Sequence, residues 1–292
     1  MMIRARLSTL VLLATAVCGS LAAHAKSGWA ELNMTPGVTE MSRNIYGLHM
    51  LIFWVCVVIA VLVFGVMIYS LVQFRKSKGA IPDVTLLHNT KVEIIWTAVP
   101  VIILIGMAVP AARTLVAIED TSKTELTIKV TGFQWGWQYD YLDDGVAFYS
   151  HLDHSSNAAR QLGSHIDPNT VANYLRNVDY PLVVPVDTKV RLLITGADVI
   201  HAWWVPAFGV KKDAIPGFVN EAWFKVDVDK PGLYRGQCAE LCGRDHGFMP
   251  IVVDVRSKEA YAAWLKATAA QEKQASAPAP TPGDAAAAPS AP

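Results

Sequence analysis

The feature that most restricts this chain is a run of side chains that water does not accommodate. From Leu48 to Phe74 the sequence is almost unbroken apolar residues, L-H-M-L-I-F-W-V-C-V-V-I-A-V-L-V-F-G-V-M-I-Y-S-L-V-Q-F. A helix rises about 1.5 Å per residue and a bilayer's hydrocarbon layer is about 30 Å thick, so this run is long enough to cross it with some tilt. It stops at Arg75-Lys76-Ser77-Lys78, a basic cluster that marks the cytoplasmic side. After a short loop with Pro82 and Lys91, a second run from Ile94 to Ile118 returns the chain outside. Pro100 and Pro110 are expected to kink this second span, a distortion that neighbouring helices can absorb. The membrane part is therefore a helical hairpin in contact with lipid.

Composition agrees. Hydrophobic residues make up 52% and charged residues only 17% of the 292, too apolar for an ordinary soluble protein. Lys plus Arg equals Asp plus Glu at 25 each, so no global field points to nucleic acid. Residues 1–25 carry Arg4 and Arg6, a short apolar stretch from Leu7 to Val17, and A-H-A before Lys26. That pattern predicts a secretory signal cut after Ala25, and it is too short to span. Both mature termini then lie outside the cytoplasm. Cys18 leaves with the signal and Cys56 sits in a span, so only Cys238 and Cys242 remain for chemistry outside the cytoplasm.

From Glu119 the pattern becomes that of a β-domain. T-E-L-T-I-K-V-T, P-L-V-V-P-V, T-K-V-R-L-L-I-T, N-E-A-W-F-K-V-D-V-D, G-L-Y-R-G-Q-C and P-I-V-V-D-V read as short strands punctuated by Gly, Pro and Asp, which suggests a Greek-key barrel or sandwich. Within the poorly patterned stretch from Ser150 to Tyr180, Asp167-Pro168-Asn169 predicts a capped short helix through Arg176. Ser257 caps a terminal helix with Tyr261, Trp264 and Leu265 on one face. The expected division is a hairpin unit over 26–118 (spans about 48–74 and 94–118), a β-domain with its terminal helix over 119–268, and a disordered Ala/Pro-rich tail over 269–292.

Within the β-domain, Cys238 to Pro250 reads C-A-E-L-C-G-R-D-H-G-F-M-P. Two thiols, an imidazole and a thioether form a soft donor set that selects copper. One copper of the blue type takes two His, one Cys and a weak Met, so the second Cys is surplus. Two coppers bridged by Cys238 and Cys242 account for it. His201 in V-I-H-A-W-W-V-P, near the end of an apolar strand-like run, and His246 would each supply an imidazole. Met249 is a weak donor to one metal, and a carbonyl near Glu240 faces the other. The competing reading is a Cys238–Cys242 disulfide, permitted in an exported domain, although it gives no role to His246 and Met249.

Two further features stay open on the residues alone. Trp135, Trp137, Tyr139 and Tyr141 share one parity in G-F-Q-W-G-W-Q-Y-D-Y, so one sheet face is aromatic. Such a face is either core or, beside Asp140, Asp143 and Asp144, a docking surface for a basic partner. Glu93, at the cytoplasmic mouth of the second span, is either a solvated first-turn acid that complements the helix dipole or a functional carboxylate.

The ordered series of two spans, Q-W-x-W-x-Y-[ED]-Y, D-V-I-H-A-W-W-V-P, K-x-D-A-I-P-G and P-G-L-Y-R-G-Q-C-A-E-L-C-G-x-x-H-G-F-M-P resembles subunit II of the haem-copper cytochrome c oxidases over residues 40 to 265. The resemblance implies two transmembrane helices followed by a cupredoxin-like Greek-key β-barrel on the periplasmic side of a bacterial inner membrane. It implies a dinuclear copper A centre held by His201, Cys238, the Glu240 carbonyl, Cys242, His246 and Met249. The Glu240 carboxylate would reach a magnesium ion shared with oxidase subunit I. Trp135 would be the residue through which electrons arrive from cytochrome c, with Asp140, Asp144 and Asp198 near the docking surface. Glu93 would stand at a proton pathway into subunit I, and the aromatic strand would be partly exposed. The function implied is passing electrons from cytochrome c to haem in subunit I, where oxygen is reduced to water with proton pumping.

Two departures stand out. The interval from His201 to Cys238 reads slightly longer than in mitochondrial members, over Trp223 to Pro231, and Ser150 to Tyr180 reads as an insertion. No C-x-x-C-H occurs, so the implied donor is a separate cytochrome. A quinol oxidase subunit II of the same architecture would lack the copper ligands, and a membrane-anchored copper-binding assembly protein would need a more labile site.

Overall fold

The computed structural model describes residues 33–81, 84–85 and 88–275. The expected signal sequence, and the tail beyond Ala275, lie outside the described residues. The two spans are helices α1 (Glu40–Gln73) and α2 (Thr90–Glu119), each long and apolar enough to cross a membrane, with the most apolar window of neither covered by the rest of the chain.

Both helices outrun the apolar sequence at the end next to the β-domain, and the reason is local. Thr39 caps α1: its hydroxyl oxygen accepts from the Ser42 amide at 2.9 Å while the Ser42 hydroxyl accepts from the Thr39 amide at 3.1 Å, a capping box. The same Thr39 hydroxyl donates to the Phe208 carbonyl at 2.9 Å, Val38 N–H donates to Ala207 O at 2.9 Å, and Arg43 pairs with Asp227. Met41 and Ser42 are buried, so the first turn of α1 packs as part of the β-domain. At the far end of the hairpin Asn89 caps α2 at the Val92 amide (3.2 Å). The helix continues through Pro100 and Pro110 without a break in assignment. Its C-terminus is met by Lys189, which donates to Asp120 O and Ser122 O at 2.8 and 2.7 Å, by the Trp223 indole on Ala117 O (3.2 Å), and by Lys212 on Glu119 (3.0 Å). Cations there complement the helix dipole. The anchor and the β-domain are thereby joined at both helix ends.

The β-domain is two five-stranded sheets. One runs in the order β3 (Val146–Ser150), β2 (Gly136–Tyr141), β1 (Leu126–Phe133), β5 (Val190–Gly196), β8 (Asn220–Phe224), and the other β4 (Leu182–Pro185), β10 (Pro250–Arg256), β9 (Gly232–Cys238), β6 (His201–Val205), β7 (Val210–Ala214). The β1–β5 and β4–β10 pairs are parallel and the rest antiparallel. The architecture read from sequence holds, as a sandwich of two sheets. Alternation along β1 and β5 puts every second residue inside, and the facing layers bury Ile128, Val130, Leu192, Ile194, Trp203, Phe224, Ile251 and Val253. Trp137, Tyr139 and Tyr141 are at most 1% exposed. That corrects the exposure the family resemblance implied for this strand: three of the four rings are core, because their parity faces the opposite sheet, and only Trp135, just before β2, is half-buried.

Other local expectations are revised. The helix expected from Pro168 to Arg176 is a single turn, Pro168–Thr170. It ends because Val171 is extended, Asn173 and Leu175 have positive φ (53° and 60°), and the Leu175 amide is taken by the Ser156 hydroxyl at 3.1 Å. Earlier in the same stretch lies a short helix the sequence did not announce, α3 (His154–Ala159), capped by Asp153. His201 opens β6 rather than closing an earlier strand. The terminal helix α4 (Lys258–Ala275) starts on Ser257, whose hydroxyl accepts from Ala260 N–H at 3.2 Å. Its Tyr261, Trp264 and Leu265 pack on the core, and it extends past residue 268.

Candidate metal centre

The centre forms where the ends of β6 and β9 meet the loop that follows β9. Trp203 lies directly opposite Cys238, and His201 is two residues along on the same face of β6, so the imidazole and the thiol point to one place. Its Nδ1 is 4.0 Å from Cys238 Sγ. The loop then doubles back and brings Cys242 Sγ to 3.8 Å from Cys238 Sγ. Both cysteines are free and buried, and a disulfide needs about 2.05 Å, so the disulfide reading does not describe this chain. Beyond Cys242 lie His246 Nδ1 and Met249 Sδ, each 3.5 Å from its sulfur, while Glu240 O is 3.3 Å from Cys238 Sγ. Each sulfur thus has one imidazole and one weak donor beside it. His201, Cys238 and Cys242 place their ligand atoms within 4.8 Å of one another, and this buried soft cluster fits a copper site.

The electrostatics point the same way. Burial alone pushes the Cys238 thiol up, but hydrogen bonds from His201 and the backbone at Ala202 outweigh it and bring it down to about 7. For Cys242, burial and the neighbouring Cys238 charge both push the thiol up. A second thiolate at this spacing therefore needs a cation beside it, and a bound metal ion deprotonates a coordinating thiol outright.

His201 is fully buried and is aimed by a carboxylate. Asp198 Oδ1 is 2.9 Å from His201 Nε2, which leaves Nδ1 for the cluster; an acid behind a ligating imidazole is the usual means of fixing ring and tautomer. Asp198 also accepts from the amides of Gln134 and Val199 at 2.7 Å each. Burial would raise its carboxyl, and the hydrogen bonds from His201 and these amides hold it below the ordinary range. Gly132 lies under the ring: a Cβ there would sit 3.0 Å from three His201 atoms. Trp137 packs edge-on to His201 at 6.1 Å and donates to Met249 O at 3.3 Å.

The loop half is held from outside the strands. Trp135 Nε1 and Gln134 Nε2 both donate to Cys242 O, at 3.2 and 2.9 Å. Gly243 turns beneath them at φ +114°, where a Cβ would meet Gln134 at 3.0 Å and Trp135 at 3.2 Å. From α3, Arg160 reaches both carboxylate oxygens of Asp245 at 3.4 and 3.5 Å and lies 4.3 Å over the Phe248 ring. Those two residues flank His246 and Met249. Gly132, Gln134 and Arg160 were not singled out from sequence, and Trp137 was noticed only as part of the aromatic face; the D-x-x-H spacing of Asp198 and His201 was readable, although Asp198 was assigned to docking.

The remaining candidates lie apart. The Glu240 side chain is exposed. Asp140 and Asp144 lie toward the other end of β2; at about 3.3 Å per residue Asp140 is roughly 17 Å along the strand from Trp135. Glu93 is in the first turn of α2, where its carboxylate accepts from the Asn89 amide at 3.2 Å, the local capping role. About 39 Å of helix separates it from the β-domain end.

Two helices long and apolar enough to cross a membrane, carrying a β-sandwich with a buried sulfur and imidazole cluster, fit a membrane-anchored protein with a copper site. The sequence pattern of the cytochrome C oxidase subunit II periplasmic domain matches residues 126–256, and that of the subunit II transmembrane domain matches residues 27–113. Cytochrome c oxidase subunit 2 of Cereibacter sphaeroides is 36% identical over 239 residues, 79% of this chain and 78% of that one. The Arabidopsis thaliana subunit 2 is 36% identical over 240 residues, 80% and 88%. The crystal structure of the periplasmic domain of subunit II of cytochrome oxidase of Bradyrhizobium japonicum is 43% identical, covers 51% of this chain and 96% of its own, and superposes with a TM-score of 0.44. The chain belongs to the cytochrome c oxidase subunit II family. Its relatives are part of a multi-subunit haem-copper oxidase.

Proposed function

We propose that this chain receives electrons from cytochrome c at a dinuclear copper A centre and hands them to haem in oxidase subunit I, where oxygen is reduced to water with proton pumping. The observation that carries the reading is the pair of unoxidised sulfurs 3.8 Å apart, each with its own imidazole. His201, Cys238, the Glu240 carbonyl, Cys242, His246 and Met249 would hold the metal. A copper pair bound there supplies a one-electron relay whose bonds change little between its redox states.

The chain's own residues set the direction. Trp135 is half-buried and its indole N–H donates to a ligand-loop carbonyl, so a partner docking on that face is one side chain and one hydrogen bond from Cys242. Asp198 is on the same rim, tied to Gln134, and Arg244 stands 5.4 Å over the Trp135 ring; Asp140 and Asp144, toward the far end of β2, would take part only in docking of a larger partner face. The exposed Glu240 carboxylate is free to reach a magnesium ion shared with subunit I while its carbonyl faces Cys238. Glu93 would serve a proton pathway in addition to capping α2. Arg75, Lys76 and Lys78 at the end of α1 support a cytoplasmic loop, hence a β-domain on the periplasmic side of a bacterial inner membrane.

Replacing Trp135 with Phe removes the hydrogen bond to Cys242 and keeps a ring. In the assembled oxidase, rapid-mixing reduction by cytochrome c should slow at least about tenfold with the copper spectrum unchanged. Reduction at the unaltered rate would contradict arrival of electrons at this face.

A further inference from the structure

Beside the metal centre lies a cavity of about 310 Å³ that holds two arginines the electron-transfer reading does not use. It is lined by Arg176, Arg235 and Trp204 together with Cys238, His246 and Met249 of the metal centre. No Asp or Glu lines it. Arg235 is on β9, three residues before Cys238, and Arg176 comes from the stretch between Ser150 and Tyr180. The two segments are joined there, because Arg235 Nε donates to the Arg176 carbonyl at 3.1 Å. That bond fixes the Arg235 fork and leaves its terminal nitrogens for another acceptor.

The charge pattern singles these two out. Elsewhere in the β-domain each arginine has an acid: Arg160 and Arg244 share Asp245, Arg191 pairs with Glu221, and Arg256 pairs with Asp254. Among the described residues, Arg176 and Arg235 have no carboxylate partner. Guanidinium groups stay charged at any physiological pH, and two side by side repel one another unless an anion stands between them. Paired forks match the oxygens of carboxylate and phosphate better than any other side chain does.

We propose that this cavity is an anion-binding site, taking a small oxyanion of the carboxylate or phosphate class on Arg176 and Arg235. The binding claim stands on the cavity alone. An effect on the redox potential follows only if His246 is a copper ligand, since an anion next to it would favour the more positive, oxidised state. The anion has two possible sources, a free solute and an acidic side chain of a neighbouring oxidase subunit.

The test uses the full-length chain in detergent, titrated with inorganic phosphate by calorimetry and phosphorus resonance, at low salt because such contacts are screened. Saturable binding is expected, weakened about tenfold or more by Arg176→Gln or Arg235→Gln, retained in part by the Lys variants, and unaffected by Arg191→Gln, a paired arginine outside the cavity. An unchanged unfolding transition in each variant confirms an intact fold. The same titration of the assembled oxidase separates the sources. Phosphate binding there identifies a free solute, and binding only to the isolated chain identifies a subunit side chain already in place. No saturable binding to the isolated chain, or binding indifferent to both Gln variants, would overturn the proposal. In the copper-loaded chain, the potential should fall with phosphate in the parent and stay constant in Arg235→Gln. Binding without that shift would count against the copper role of His246 and leave the anion site standing.

Discussion

The two halves of the metal centre are built differently. His201 and Cys238 stand on adjacent strands of one sheet. The His201 ring is fully buried between Gly132 and Trp137 and aimed by Asp198. Cys242, His246 and Met249 stand on a loop that no strand pairing fixes. Its shape depends on hydrogen bonds from Gln134 and Trp135 and on Arg160, which arrives from a segment more than eighty residues away in sequence. The first half is set by the core and should persist without metal. The second half is held by a few contacts, and metal binding has more to organise there.

The sharpest way to break this comparison is to remove one imidazole from each half. In metal-free chain in detergent, His201→Ala leaves an enclosed space in the core and the Asp198 carboxylate without its imidazole partner, and should cost about 2–4 kcal/mol in denaturant unfolding. His246→Ala, on a half-exposed loop, should cost under about 1 kcal/mol. Equal losses would mean the halves do not differ.

Asp198→Ala should come next. Removing the group that aims His201 should lower copper affinity about 10–100-fold, as measured by competition with a chelator, with Asp198→Asn intermediate. If affinity is unchanged, the carboxylate is a docking residue only. Arg160→Ala should act on the loop half alone: copper should dissociate about fivefold faster, and amides of 243–249 should exchange faster with those of β6 unaffected. Partial recovery in Arg160→Lys would show that charge is part of the effect, and changes spread over both halves would refute a local clamp.

The smallest effect concerns acid. Asp153 caps α3 by accepting from Ser156 N–H at 3.0 Å and from the Ser155 hydroxyl. Burial would raise its carboxyl, and these hydrogen bonds bring it below its ordinary value. A depressed folded-state value means the contribution is complete above the unfolded value, about 3.9, and is lost as pH falls through the folded one. Below about pH 4, the protection of amides in 154–160, corrected for intrinsic exchange, should therefore fall in the parent, while Asp153→Asn, which caps comparably but does not titrate, should keep its protection. Parallel acid profiles would contradict the assignment.

What the sequence disclosed follows the same division. The spans, most of the strands and the cluster of soft donors were legible, because apolar runs, period-two alternation and soft donors at short spacing are local signals, whereas β3, β6 and β7 were not read as strands. The disulfide alternative could be set aside only with the sulfurs in place. Trp137, Tyr139 and Tyr141 share a parity that fits either core or docking surface, and only the opposite sheet decides between them. Arg160 was invisible because its partners, Asp245 and Phe248, are distant in sequence. Asp198 was noticed for its charge, and its contact with His201 was not read, since spacing alone does not say which way a carboxylate turns. The segment from Ser150 to Tyr180, which read as an enlargement without a role, supplies both the loop clamp and one wall of the Arg176–Arg235 cavity.

The central claim, that two sulfurs each with their own imidazole hold a copper pair, is tested most directly by copper stoichiometry together with electron paramagnetic resonance on the full-length chain. The account predicts two coppers per chain and a single unpaired electron shared equally between both nuclei. One copper with a type-1 signal, or a Cys238–Cys242 disulfide that survives in the presence of copper, would contradict it.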